Sequence, residues 1–290
     1  MHIILVFVDG LGIGTRGSHN PLDGLGDAAI PLAVFRDEEP ALPHCGLLVR
    51  TDACLGVEGR PQSASGQTTI LTGVNAPALL GYHKQGFPNQ ILRAVISEHS
   101  VFLKLKNLGI GPNSFANAYA PRFFDARPRW VSATTVAVES AGTPFHTLED
   151  VREGRALYHD FTNEVLIEIG TEVPRRTPEE AAHILSVIAA RHRFTLYEYF
   201  ITDRVGHMQD ARAADRVLSD LALFVRTLLG LVALENTTVL LTSDHGNVED
   251  LSIRNHTRNT CRRLSGRGAA YDRRSTAQSR RHHSGDRRRT

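Results

Sequence analysis

The chain has 290 residues, 41% of them apolar, and a net charge of +2; that is enough for one large domain with a modest inserted cap and too apolar for wholesale disorder. Three cysteines without zinc-type spacing fit a reducing cytoplasm, and the lack of any run near the roughly 18 apolar residues of a membrane helix excludes a spanning segment. The charge is uneven: residues 260–290 hold ten arginines and two aspartates, a net of +8, leaving 23 basic and 29 acidic groups, a net of −6, on residues 1–259.

In chain order, residues 3–8 are a continuous apolar run, as in a strand buried on both faces. The run is too short for a signal peptide and ends in Asp9, with Gly10 and Gly12 behind it to let the backbone turn. Residues 15–43, rich in Gly, Pro and Asp, form a long loop, and 47–51 a short strand. In residues 59–73, Ser63, Ser65 and two threonines precede an apolar helical stretch. Such a helix N-terminus favours an anion, for instance a phosphate. Helices are expected at 89–98, at 100–108 with Ser100 as cap and Gly109 as stop, and at 132–140. Thr177, Pro178 and Glu180 make a capping box with proline at the first helical position, opening a helix towards Arg191.

A strand over 195–202 ends in Asp203, with His207 four residues on. A helix over 211–231 leads to a strand over 237–243, whose lip carries Asp244 and His245. The expected fold is α/β, a mostly parallel central sheet flanked by helices. Residues 1–75 and 175–259 form the core and 76–174 an inserted cap. Residues 260–290 have no apolar periodicity and no lysine, so they are expected to be disordered.

Three strand ends carry carboxylates, and open α/β sheets bind ligands at the carboxyl ends of their strands. A lone strand-end Asp is commonly a turn or helix cap, and Ser63 alone could be a plain N-cap. Taken together, Asp9, Ser63, Asp203, His207, Asp244, His245 and His256 suggest a metal site. Carboxylates and imidazoles without a thiolate suit Mn or Zn better than Ca. Seven groups exceed the needs of one ion; two divalent ions about 4 Å apart would use them in an in-line phosphoryl displacement. A hydroxyl facing such a pair becomes a nucleophile.

These residues resemble the alkaline phosphatase superfamily of metalloenzymes, and within it the cofactor-independent phosphoglycerate mutase branch. The resemblance runs through F-V-D-G at Asp9, Q-S-A-S-G-Q at Ser63, T-D-R-V-G-H at Asp203 and His207, S-D-H-G-N-V-E at Asp244 and His245, and N-H-T-R-N at His256. It implies that Asp203, His207 and His256 bind one metal and Asp9, Asp244 and His245 a second. It also implies that Ser63, rather than Ser65, takes up the phosphoryl group of a small phosphorylated substrate. The phosphoserine then passes to water, as in a phosphatase, or back to the bound product, as in a mutase.

Two departures bear on this. The span from Ser63 to Asp203 is much shorter than in full-length mutases, whose large inserted domain supplies substrate-binding arginines, and this favours hydrolysis of a phosphate ester. Where the family continues N-P-V-P into a closing strand and helix, this chain reads Asn259-Thr260-Cys261-Arg262-Arg263, as translation of a GC-rich gene in a shifted frame would produce. Two readings of another class remain: a metal-binding protein without turnover, and a nucleic-acid binder acting through the arginine tail. No aromatic platform accompanies those arginines, which counts against nucleic acid. Lys84, Arg93, Arg122 and Arg129 could contact a phosphate from the cap, and His83 could reach substrate, although solvated or structural roles are the commoner fate of such residues. The oligomeric state is open.

Overall fold

The computed structural model describes residues 1–40, 42–126 and 128–266, with only the backbone described for Cys45 and residues 262–266. Its strands are β1 (His2–Val8), β2 (Leu47–Thr51), β3 (Asn113–Phe115), β4 (Ala118–Tyr119), β5 (His146–Thr147), β6 (Phe194–Tyr199), β7 (Thr237–Thr242) and β8 (Cys261–Gly266). Six of them form one sheet in the order β2-β8-β7-β1-β6-β3. β1 runs parallel to both β6 and β7, β3 is parallel to β6, and β8 is antiparallel to β7 and β2. The expected α/β class with a mostly parallel sheet flanked by helices is what the structure has.

The apolar runs of β1, β6 and β7 are continuous because both faces are covered. Ile4, Val6, Val8, Tyr197, Tyr199, Val239 and Leu241 pack against the helices Pro178–Ala190 and Ala211–Leu231. On the other face Phe7, Phe194 and Leu196 meet Leu71, Ile96, Phe102 and Val136 of the helices Ser63–Thr72, Gln90–His99, Val101–Asn107 and Ala133–Ser140. Aromatic rings fill the gaps: Phe161 stacks between Tyr199 and Phe224, with centroids 5.0 and 4.7 Å away. The helix ends are fixed as their caps suggest. Thr177 Oγ1 accepts from the Glu180 amide and Glu180 Oε2 from the Thr177 amide, while Asn89, Ser100 and Ser132 cap their helices through the side chain.

Part of residues 76–174 belongs to the sheet and its helical layer. β3 pairs with β6, and the helices Gln90–His99, Val101–Asn107 and Ala133–Ser140 lie against the Ser63 helix and the sheet. The remainder, with the short β4–β5 pair and the helices Leu148–Arg152 and Glu164–Glu168, closes over its own small apolar cluster of Ala118, Leu148, Val151, Ala156 and Leu166.

One expectation is corrected at the C-terminal end. Disorder was expected from residue 260, but Cys261–Gly266 is a strand lying between β7 and β2, with Cys261 buried. Composition argued against order there; pairing overrides it, because an unoccupied flank of β7 would leave a row of backbone donors and acceptors without partners. The arginine-rich residues 267–290, with the expectations of disorder and nucleic-acid contact placed on them, lie outside the described residues. Among the described residues no helix is long and apolar enough to cross a membrane.

Truncation after Gly266 is expected to leave the melting temperature within about 2 °C of the full chain, and truncation after Thr260 to lower it by at least about 5 °C. Thermal circular dichroism reads both, and identical melting of the two truncated chains would show that the sheet does not need β8.

Candidate metal centre

The three carboxylates reach one place by different routes. Asp9 follows β1, its amide bonded to the Tyr199 carbonyl, and the chain then turns at Gly10, whose φ of +70° suits a residue without a side chain. A Cβ on Gly10 would also stand 2.8 Å from Asp203 Oδ1. Asp244 and His245 follow β7. Asp203 was expected on a strand end, but β6 stops at Tyr199 and the helix Ile201–Met208 begins at once, tied down by Thr202 Oγ1 donating to the Asp9 carbonyl at 2.6 Å. Asp203 and His207 therefore stand one helical turn apart on the same face, with His207 Nε2 3.3 Å from Asp203 Oδ2.

Ser63 is the first residue of its helix, whose N-terminal turn presses on the Asp244 backbone: a Cβ on Gly66 would lie 2.8 Å from Asp244 Cβ. The Ser63 hydroxyl lies 3.1 Å from His245 Nε2. Ser65 is turned away, donating to the Gln62 carbonyl and accepting from the Lys84 amide. His245 Nε2 is the focus of the cluster, 3.2 Å from Asp9 Oδ1 and 3.5 Å from Asp244 Oδ2. The His256 ring stacks on that of His245 with centroids 3.6 Å apart, and its Nε2 faces Asp203 Oδ1 at 3.7 Å. All seven residues singled out in the sequence thus meet in one pocket.

Two overlapping donor sets result: Asp9, Asp244 and His245, and Asp203, His245 and His256. The resemblance implied His207 in the second set. In the structure His245 is shared and His207 stands at the exposed side, its Nε2 next to Asp203.

The donor chemistry fits a divalent cation. Nδ1 of His207 lies 2.8 Å from the Arg254 carbonyl and Nδ1 of His256 3.0 Å from that of Pro61. A carbonyl only accepts, so each Nδ1 carries the hydrogen and the Nε2 lone pair is left for a metal, the usual outer-shell arrangement of ligating histidines. Asp9 Oδ1, Asp244 Oδ1 and His245 Nδ1 are buried and make no hydrogen bond, a state that costs free energy unless something charged sits among them. Burial, then the charges of Asp244 and Asp203, push the Asp9 carboxyl well above its ordinary range, and burial followed by Asp203 pushes Asp244 up to about 8. Burial holds His245 and His256 below the usual imidazole range, which leaves them neutral, the form that binds metal.

The supporting residues were not anticipated. Glu249 is fully buried and accepts from the Gly12 and Asn247 amides, Thr257 Oγ1 and Asn259 Nδ2. It fastens the turn after β1, the turn after β7 and the His256 segment to one another. Asn247 Nδ2 donates to Asp203 Oδ1 at 2.6 Å, and Gln67 Nε2 stands 3.5 Å from Asp244 Oδ2. Glu249 and Asn247 belong to the same S-D-H-G-N-V-E string as Asp244 and His245, and their polar type directly behind two ligand candidates was the available signal. Of the other basic candidates four are engaged elsewhere, and Arg122 is exposed. His83 faces the Val57 carbonyl, Lys84 Nζ donates to that of Gln85, Arg93 to that of Pro88, and Arg129 lies over Trp130.

No curated protein sequence matches the chain. Residues 158–263 match the metalloenzyme superfamily. That segment carries Asp203, His207, Asp244, His245 and His256, whereas Asp9 and Ser63 precede it. Among solved structures, the PH0037 protein from Pyrococcus horikoshii is similar with a TM-score of 0.52 at 13% identity, over 93% of this chain and 86% of that one. Alkaline phosphatase from the Antarctic bacterium TAB5 gives a TM-score of 0.42 at 12% identity, over 91% and 90%. That from Thermus thermophilus gives 0.41 at 14%, over 85% and 60%. At 13% identity the likeness to the PH0037 protein is one of fold. The superfamily match and the donor set together make divalent metal binding the chemistry of this pocket.

The pH dependence of the metal-free protein follows. Asp244 keeps its proton up to about 8 when folded but only to its ordinary value of 3.8 when unfolded, so the unfolded chain binds fewer protons between those values and stability falls as pH rises through them. With chelator present at pH 8, Asp244→Asn is expected to melt higher than wild type by about 3–10 °C, a gain of about 1–3 kcal/mol. The gain should shrink towards pH 4, and added Mn should no longer stabilise the variant. A variant that melts below wild type in chelator at pH 8 would contradict the electrostatic account.

Proposed function

We propose that the protein catalyses metal-dependent phosphoryl transfer through a phosphoserine at Ser63, with water as the final acceptor, so that it hydrolyses a small phosphate ester. The observation that carries this reading is the Ser63 hydroxyl 3.1 Å from His245 Nε2, at the first position of a helix and beside Asp9 and Asp244. A serine serving as a plain cap would stand at the N-cap position and accept from the backbone amide two or three residues on; here the N-cap is Gln62 and Ser63 is the first residue inside the helix.

Two divalent ions, Mn or Zn by donor type, would be held by Asp9, Asp244 and His245 and by Asp203, His207 and His256, with His245 adjoining both; bound there, they supply charge neutralisation for the attacking and leaving oxygens. The chain's own residues do the positioning. The helix N-terminus places Ser63 Oγ at the carboxylate cluster and its dipole favours an incoming phosphoryl group. Ser63 Oγ gives up its proton, which ends on the departing alcohol oxygen, and bonds to phosphorus as the ester's P–O bond breaks. Water then attacks the phosphoserine and the P–Oγ bond breaks, releasing phosphate and regenerating the hydroxyl. Glu249, Asn247 and Gln67 hold the carboxylates in register throughout.

The motif order from F-V-D-G to N-H-T-R-N supports the phosphoglycerate mutase-like branch, whereas the short span between Ser63 and Asp203 supports water rather than a retained product as acceptor. Three cysteines without zinc-type spacing support a reducing cytoplasmic setting.

Ser63→Ala is expected to lower turnover of a phosphate monoester at least about a hundredfold, roughly 2.7 kcal/mol of barrier, and to abolish acid-stable phosphoenzyme, with Mn-dependent stabilisation retained. Unchanged turnover would remove the covalent step. With a phosphoglycerate as substrate, free phosphate marks the hydrolase and the isomer marks the mutase. Metal binding without either product marks a protein that has lost turnover.

A further inference from the structure

A second site adjoins the metal centre on the same edge of the sheet. A cavity of about 530 Å³ opens between β6, β4 and the segment from 120 to 135, walled by Tyr119, Phe123, Tyr158 and Phe200 with Trp130 among its lining residues. Its size and apolar walls are those of a small-molecule pocket. The rings are fixed: Tyr119 and Phe123 stack with centroids 4.2 Å apart, Phe145 meets Tyr119 edge-on at 4.9 Å, and the Tyr119 hydroxyl is bonded to Thr135 Oγ1 at 2.7 Å.

One ionisable group is buried in this wall with no ion-pair partner among the described residues. Glu198 is 3% exposed and accepts from Thr134 Oγ1. Its backbone is pinned by Asn117, which accepts from the Glu198 amide at 2.9 Å and donates to its carbonyl at 2.8 Å. Among the described residues no lysine, arginine or histidine forms an ion pair with it. His159, also in the wall, is kept neutral because burial lowers its pKa to about 4, and Arg122 at the rim is exposed and free to turn its charge to solvent. Burial raises Glu198 itself to about 7, the direction expected of a carboxylate with nothing positive to face.

We propose that this cavity binds an organic cation, an ammonium group carrying apolar substituents, with Glu198 as its counter-ion and the rings of Tyr119, Phe123, Tyr158 and Phe200 as its cage. An anionic ligand would meet the Glu198 charge in a low-dielectric wall. A neutral apolar ligand would bury the carboxylate further and leave it unpaired, at a cost. An ammonium ligand does the reverse: it neutralises the buried charge, and its methyl or methylene shell meets aromatic faces that attract cations. Glu198 is opposite Phe7 in the β1–β6 register and five residues before Asp203, which puts the cation beside the metal centre but on different residues. The proposal therefore stands whether or not Ser63 is a nucleophile.

The single tryptophan, Trp130, lines the cavity and reports on it, and the full chain can be titrated by its fluorescence and by calorimetry. Choline chloride is expected to bind saturably, and 3,3-dimethyl-1-butanol, its neutral isostere, at least about tenfold more weakly. Glu198→Gln, which keeps the volume and an acceptor for Thr134, should weaken choline at least about tenfold and leave the alcohol unchanged. Phe123→Ala, at a half-buried position, should weaken choline several-fold with circular dichroism intact. All three results should be the same in chelator and in Mn, which separates them from the fate of the phosphoryl-transfer reading. No saturable choline binding, equal affinity for the neutral alcohol, or undiminished choline affinity in Glu198→Gln would each overturn the proposal.

Discussion

The constraint on which this end of the molecule depends is the mutual repulsion of Asp9, Asp203 and Asp244, brought together in a low-dielectric setting. Burial, then the charges of Asp244 and Asp203, push the Asp9 carboxyl up, and burial followed by Asp203 does the same to Asp244; among the described residues no lysine or arginine forms an ion pair with any of the three. A fold seeking stability alone would put apolar side chains or ion pairs here. Instead Glu249, Asn247 and the close approach of Gly66 to Asp244 lock the carboxylates in place, and burial keeps His245 and His256 beside them neutral. The arrangement makes physical sense only with positive charge supplied from outside the chain, which is why the cluster, rather than any single residue, identifies a metal centre.

The same constraint explains why the sheet is built as it is. Carboxylates on separate strands converge only if those strands are parallel neighbours ending at one edge, and the order β7-β1-β6 does that for Asp244, Asp9 and, through the helix begun at Ile201, Asp203. The strands tolerate the strain at their ends because their middles are buried on both faces. Removing water from the side chains of Ile4, Val6, Tyr197 and Leu241 offsets the cost of their polar termini.

Much of this was readable from the sequence, and the reasons differ by element. β1, β6 and β7 announce themselves as apolar runs, and the capping box at Thr177 or the N-cap at Ser100 is local chemistry that needs no tertiary context. What failed to show was decided by neighbours. Phe200 and Ile201 continue an apolar run, so the strand seemed to reach Thr202, but the Thr202 bond to the Asp9 carbonyl turns the backbone into a helix. β8 has a composition that suggests disorder and is ordered by the open flank of β7. β3 is three residues long and is a strand only because β6 is beside it. Glu249 carries no local signal of what it holds together. Its role as a clamp on three segments exists only once the turns after β1 and β7 and the His256 segment stand next to one another.

Glu198 adds a second carboxylate environment on the same strand, and the contrast is instructive. Along β6 the side chains alternate: Tyr197 and Tyr199 enter one apolar layer, while Leu196 and Glu198 face the other. A pattern of aromatic and apolar residues with one Glu in the middle reads as a strand whose odd member must be solvated. Here that member is enclosed, between the aromatic cavity on one side and Phe7, Gln67 and Leu71 on the other. Its charge is felt at Asp9, which it helps to push upward, and Gln67, which lines the wall behind it, also stands at Asp244. The cavity and the metal centre therefore share one electrostatic field across two adjacent strands. The two sites nevertheless hold their cations on different carboxylates, Glu198 on one side and Asp9, Asp203 and Asp244 on the other, so occupancy of one is not a condition for occupancy of the other.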